Sequence, residues 1–274
     1  MDKTQQDMRF SFGKNWARFL GSLNEERIVE AETALQQMLR IETLANMTFL
    51  DIGSGSGLSS LAAARLGAEK IHSFDYDPHS VACTAELKRR YFPDFDQWTI
   101  EQGSALDKEY LTSLGQFEIV YSWGVLHHTG SMWEALENVH PMVMDNGILF
   151  ISIYNHQNFL SELWHKVKKV YNRLPAPLRP VYTIIVQTPF EFIAMIKQLL
   201  QLKSPWQHWL DYKKNRGMSR WHDIVDWVGG YPFETATPEE IFRFYRNRGF
   251  ILGELVTRQG PGCNEFVFKK PCAA

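Results

Sequence analysis

This sequence predicts a doubly wound α/β fold, with a mostly parallel seven-stranded sheet closed by an antiparallel C-terminal hairpin, and three observations carry that expectation. Short apolar runs alternate with helix-period segments from Thr48 to Ile153, the rhythm of βαβ units. A glycine-rich turn joins the first such run to the first such helix. The alternation breaks after Asn155, gives way to Trp-rich helical sequence, and resumes at Thr237 to end in two strands joined through Gly260-Pro261-Gly262.

Taken in order, residues 24–44 read as a helix capped by Asn24, with Ile28, Ala31, Leu35, Met38 and Leu39 at helical spacing. Strand 48–52, helix 58–66 closed by Gly67, strand 70–75 and helix 78–90 follow, the last opened by Asp77 as cap and Pro78 in the first turn. Strands are expected at 98–102, 117–122 and 147–153, with Ser131 and Glu134 forming a capping box ahead of the last. Thr237-Pro238-Glu239-Glu240 opens a helix over 237–248, and strands near 250–257 and 264–269 make the hairpin. The organisation is an N-terminal flap and helix (1–47), an α/β domain (48–155 with 237–274), and a helical insertion (156–236) acting as a lid.

The chain of 274 residues, 45% hydrophobic, can bury a core of this kind. Its net charge of −2 argues against a nucleic-acid partner, because neutralising phosphates needs an excess of Lys and Arg. The charge is unevenly spread. Residues 156–220 hold eleven Lys/Arg against three Asp/Glu, a balance of +8, and the remainder stands at −10. A basic lid suits an anionic, phosphorylated or lipid-linked acceptor, or a peripheral contact with a membrane surface. The apolar run Val181–Leu202 is interrupted by Gln187, Thr188, Pro189, Glu191 and Lys197, so no transmembrane segment is expected. Three scattered cysteines without metal-ligand spacing, and a polar N-terminus without an apolar signal region, point to a cytoplasmic protein with no metal site.

The turn Asp51-Ile52-Gly53-Ser54-Gly55-Ser56-Gly57 lets backbone approach a ligand closely, and Asp75 at the end of the next strand can accept both hydroxyls of a ribose. A dinucleotide fingerprint needs a glycine at 58 or 60, where the chain has Leu58 and Ser60, which disfavours NAD. With these residues the chain resembles the class I S-adenosylmethionine-dependent methyltransferases, over roughly 48–154 and again over 237–270. The resemblance implies S-adenosyl-L-methionine as cofactor. It implies that Asp51 with Gly53, Ser54, Gly55 and Gly57 holds the methionine part, Asp75 the ribose diol, and Tyr76 one face of the adenine. Ser104 stands where the family commonly has an Asp that meets the adenine, with Ala105 beside it, and Ser122 and Trp123 lie at the neighbouring strand end. Lys14 and Trp16, in Phe12-Gly13-Lys14-Asn15-Trp16, form a flap over the cofactor or a staple for the following helix.

Methyl transfer asks the protein to align an acceptor beside an already activated methyl group, exclude water and remove a proton. His127 and His128 are the bases nearest the expected edge; the same Leu-His-His-Thr turn is also what a structural imidazole bonded to a carbonyl would produce. Tyr154 and Asn155 end the adjacent strand. Arg220, Trp221, His222, Asp223 and Tyr231, where the insertion returns, supply a second set, in which His222 and Asp223 are catalytic candidates and Arg220, Trp221 and Tyr231 bind the acceptor. The reading is a methyltransferase acting on an oxygen or nitrogen of a small acceptor; the alternatives are RNA or protein methylation and a non-catalytic cofactor-binding module.

Overall fold

The computed structural model describes residues 10, 13, 16, 20, 21, 23–201, 204, 220–260 and 262–272, with the side chains of Arg220, His222, Asp223 and Asp226 outside the described set. Seven strands form one sheet in the order β3-β2-β1-β4-β5-β7-β6. They are β1 (Thr48–Ile52), β2 (Lys70–Asp75), β3 (Trp98–Gln102), β4 (Phe117–Trp123), β5 (Val143–Tyr154), β6 (Ile251–Val256) and β7 (Cys263–Lys269). The first five pair in parallel, and β7 runs antiparallel to both β5 and β6. The order reverses between β1 and β4, so the carboxyl ends of these two strands open the crevice where such sheets take ligands.

Helices cover both faces. On one side α1 (Glu25–Leu39), α2 (Leu58–Arg65) and α3 (Pro78–Tyr91) bury Ile28, Leu35, Leu61, Leu87, Phe49 and Trp98 together. On the other, α4 (Lys108–Leu114), α5 (Met132–Val139) and α9 (Pro238–Arg246) enclose Leu50, Val120, Leu136, Ile151, Tyr245 and Phe268. Between β5 and α9 the chain forms α6 (Phe159–Arg173), α7 (Arg179–Leu200) and α8 (Arg220–Gly229). These have an aromatic core of their own around Trp164, Tyr171, Val228 and Phe233.

Local chemistry explains most boundaries. Asn24, Asp77 and Thr237 each accept a backbone N–H at a helix start, and Thr237 with Glu240 completes the expected capping box. Two expectations fail. The first helix stops at Leu39 rather than 44, because Arg40 turns left-handed and its N–H returns to the Gln36 carbonyl. The box at Ser131 does not form: Met132 N–H donates to the Glu234 carboxylate, so α5 is capped from the far end of the insertion rather than from its own sequence. The β5 strand also begins earlier, at Val143, with a register irregularity against β4.

Candidate active site

The glycine turn between β1 and α2 holds Gly53, Gly55 and Gly57 at φ of 77°, 55° and 82°, values that favour glycine. Space forbids a side chain as well. A β-carbon on Gly53 would stand 2.4 Å from the Val125 side chain, and one on Gly57 would stand 2.7 Å from the Thr84 backbone. The turn is tied to β2, since Gly53 and Ser54 N–H both donate to the Phe74 carbonyl, and Gly55 N–H donates to Asp75 Oδ2 at 2.9 Å. The other carboxylate oxygen accepts from Asp77 N–H at 2.8 Å, which fixes the Asp75 group at the strand end beside the turn. Ser54 bonds Thr84 side chain to side chain.

Asp51 lies beneath this turn. Its buried carboxylate accepts from Ser60 at 2.5 Å, and Ser60, Ser73 and the Trp98 indole continue the chain of hydrogen bonds into the core. Burial pushes its pKa up to about 7, against the opposing hydrogen bond from Ser60. Around the rim, Tyr76 is exposed, Ser104 Oγ accepts from Leu106 N–H, and the Ala105 carbonyl accepts from Asn138. Ser122 is buried and donates to the Ile52 carbonyl, which locks β4 to β1. Trp123 points across the sheet to Glu265, away from the turn.

From the N-terminal segment, the indole nitrogen of Trp16 would lie 3.2 Å from a β-carbon on Gly55, and Gly13 N–H donates to Asp77 Oδ2. Phe10 N–H donates to the Tyr231 carbonyl. Phe10 thus touches the returning insertion, and Trp16 the glycine turn. Lys14 lies outside the described residues.

Val125, packed on Gly53, leads directly into the 3-10 turn Leu126–His128. His127 is fully buried; its Nδ1 accepts the Tyr154 N–H at 3.3 Å, and its Nε2 is a buried atom with no hydrogen-bond partner among the described residues. Burial first, then His128 and the Lys168 ammonium, hold His127 well below the usual imidazole range, against a smaller opposing contribution from the Ser152 backbone. His128 is differently placed. It is half-buried and its Nδ1 donates to the Pro232 carbonyl at 2.5 Å, so Nε2 is its accepting nitrogen. The Tyr154 ring lies tilted against His127, with centres 4.0 Å apart, and meets His128 edge-on at 5.4 Å.

Beyond Tyr154 a narrow cleft, with about 10 Å³ of space for a water-sized molecule, is lined by Tyr154, Asn155, Trp164, Trp227, Phe233 and Gly262 among others. Behind its wall Lys168 is fully buried, donating to the Trp227 carbonyl, with its ammonium 4.5 Å from the Trp227 ring and 4.8 Å from Phe233. The insertion returns where it left: Asn155 bridges to Ala236, Ala236 N–H donates to the Tyr154 carbonyl, and Glu234 N–H to that of His127.

The matched family is described as a methyltransferase domain, and the match covers residues 50–149, from the glycine turn through the His127–His128 turn into β5. Residues 50–149 are thus similar to a methyltransferase domain. Ribosomal protein L11 methyltransferase of Anoxybacillus flavithermus is 29% identical, over 36% of this chain and 36% of that protein. Its counterpart in Bacillus cereus is 29% identical over 36% and 35%. The chain thus spans about a third of the length of the curated relatives it matches. Among solved structures, magnesium protoporphyrin IX methyltransferase of Synechocystis with bound S-adenosylhomocysteine superposes with a TM-score of 0.58 at 12% identity, covering 97% of this chain and 98% of that one. An O-methyltransferase family protein from Burkholderia thailandensis reaches 0.54 at 12%, covering 90% and 58%. Both likenesses are of fold.

The residues singled out in the sequence divide by place. Gly53, Ser54, Gly55, Gly57, Asp75, Tyr76 and Trp16 gather at the turn, while Asp51 and Ser122 support it from below. His127, His128, Tyr154 and Asn155 gather at the neighbouring strand ends. Tyr231 is buried behind them against His165, and Trp221 is 42% exposed and off the pocket wall. Arg220, His222 and Asp223 belong to α8, with side chains outside the described set. Trp164, Lys168 and Phe233 were not singled out in the sequence. On α6 the spacing of Trp164 and Lys168 was an available signal, since a lysine four residues from a tryptophan on an apolar stripe shares its face.

Proposed function

We propose that this chain is an S-adenosylmethionine-dependent methyltransferase that methylates an oxygen or nitrogen of a small acceptor. The observation that carries the reading is the contact of Val125 with Gly53, which sets the glycine turn and the His127–His128–Tyr154 cluster side by side at the carboxyl edge of the sheet. The residues present fit the cofactor: a glycine turn at the strand end for the methionine part, a fixed carboxylate at Asp75 for the ribose hydroxyls, and the exposed Tyr76 ring for the adenine. When bound, S-adenosylmethionine supplies an electrophilic methyl group. The protein's part is to hold the acceptor in line, exclude water and take its proton.

In this reading the residues between β5 and α9 act as the lid, and the acceptor sits at the mouth of the ring-lined cleft, beside Tyr154 and Asn155. His128 is the proton acceptor, because its tautomer is set by the Pro232 carbonyl with Nε2 accepting; His127 is a positioning residue that holds Tyr154. The cytoplasmic location goes with three cysteines that all remain thiols. Incubation with labelled S-adenosylmethionine and a panel of small phenols, carboxylates and amines tests the reading; release of S-adenosylhomocysteine dependent on one acceptor class supports it, and none across the panel opposes it. A protein acceptor is the second reading, favoured by the names of the curated relatives. Label incorporated into a purified protein and into no small molecule would select it.

A further inference from the structure

The most apolar helix of the chain is also among its least covered. Along α7, Val181, Ile184, Ile185, Phe192, Ile196 and Leu199 recur at helical spacing on one face and stand 41% to 65% exposed. Thr183 is the one buried residue of this helix. Single exposed hydrophobic side chains are ordinary, but a continuous stripe along a helix roughly 33 Å long is a surface built to be covered. The one hydroxyl in the stripe, Thr188, donates to the Ile184 carbonyl within the helix, so the stripe offers a partner no polar group to read. On α6 the exposed residues Phe159, Leu163 and Val170 alternate with exposed Lys166 and Arg173.

We infer that the lid is a membrane-docking element, with α7 lying in the plane of an anionic bilayer. Charge decides between the available partners. By sequence residues 156–220 carry +8, and among the described residues Lys166, Arg173 and Lys197 are exposed; this charge repels a second copy of the segment and is attracted by anionic headgroups, while the aliphatic stripe enters the acyl boundary. Packing decides the orientation. By length and composition alone Ala176–Leu200 could cross a membrane. The other side of α7, however, is tied into the lid: Phe190 stacks on Trp164 with ring centres 5.5 Å apart, Tyr182 donates to the Val167 carbonyl, and Val186 joins the aromatic core. A spanning helix would give up all three contacts; an in-plane helix keeps them. Because Trp164 also lines the pocket, docking sets that pocket beside the lipid surface.

Flotation of the full chain with phosphatidylcholine vesicles, alone or with one third phosphatidylglycerol, tests the inference. The wild type should float with the anionic vesicles and be recovered roughly tenfold less with the neutral ones. The triple variant I185S/F192S/I196S, altered at exposed positions, should lose anionic binding roughly tenfold while its circular dichroism and S-adenosylhomocysteine affinity stay unchanged. That affinity reads the methyltransferase domain separately from the docking. Wild type that stays unfloated with anionic vesicles, or a triple variant that floats as well as wild type, overturns the proposal. So does a wild-type dimer that the triple variant dissolves without either binding vesicles, and so does retention of the protein in membranes after alkaline carbonate extraction.

Discussion

The backbone N–H of Tyr154 donates to Nδ1 of His127 across the gap between β5 and the turn after β4. This one bond separates the roles of two adjacent histidines. With Nδ1 occupied as an acceptor and the ring held neutral by burial, His127 is poorly placed to take a proton, whereas His128 is oriented by the Pro232 carbonyl with its accepting nitrogen at Nε2. We expect His128→Ala to lower kcat about a hundredfold, the lower range for a positioned base, with S-adenosylhomocysteine affinity within a few-fold of wild type. His127→Ala should instead lower the melting temperature by several degrees, since it opens a cavity beneath Tyr154. Equal kcat losses and unchanged melting in both variants would contradict the division.

Asp51 makes a pH-dependent prediction. Its folded pKa of about 7 lies above the ordinary aspartate value of 3.8, so between those limits the folded protein keeps a proton that the unfolded chain has lost. Stability from this group is therefore greatest below about pH 4, declines as pH rises toward 7, and is level above, a difference of about 4 kcal/mol at most. Asp51→Asn stays neutral throughout and escapes the decline. Urea unfolding at several pH values should show the variant gaining on wild type from pH 4.5 to pH 7; a constant difference would remove the buried carboxylate from the account.

Gly57 and Gly249 share a left-handed backbone, at φ of 82° and 83°, but differ in surroundings. A β-carbon on Gly57 would meet the Thr84 backbone at 2.7 Å, while one on Gly249 has nothing within 4 Å. Gly249→Ala should cost about 1 to 2 kcal/mol for the backbone alone, and Gly57→Ala should cost more and weaken cofactor binding as well, because the turn must shift. Equal losses in chemical denaturation would show that the turn has slack.

Much of this arrangement is legible in the sequence because it is local. The glycine turn, Asp75 at a strand end, the caps at Asp77 and Thr237, and the closing hairpin are each set within a few residues. What was not legible depends on distant segments. Glu234 caps α5 from 102 residues away, displacing the box that Ser131 and Glu134 suggested. The rings around Lys168 come from α6, α8 and the returning strap, so no run of sequence shows them together. The lid's charge was visible, but the uncovered apolar face of α7 was not, since an apolar helical stripe reads the same whether it faces a core or the outside.

The central claim is tested most directly by calorimetric titration of S-adenosylhomocysteine into the wild-type chain and Asp75→Ala. Asp75 is held at the strand end by Gly55 and Asp77, and a charge-assisted contact to the ribose diol is worth about 1.5 to 3 kcal/mol. The wild type should bind with 1:1 stoichiometry, Asp75→Ala should bind roughly ten- to a hundredfold more weakly, and NAD should give no heat with either. Absence of S-adenosylhomocysteine binding by the folded wild-type protein, or saturable binding of NAD at the same turn, would contradict the account.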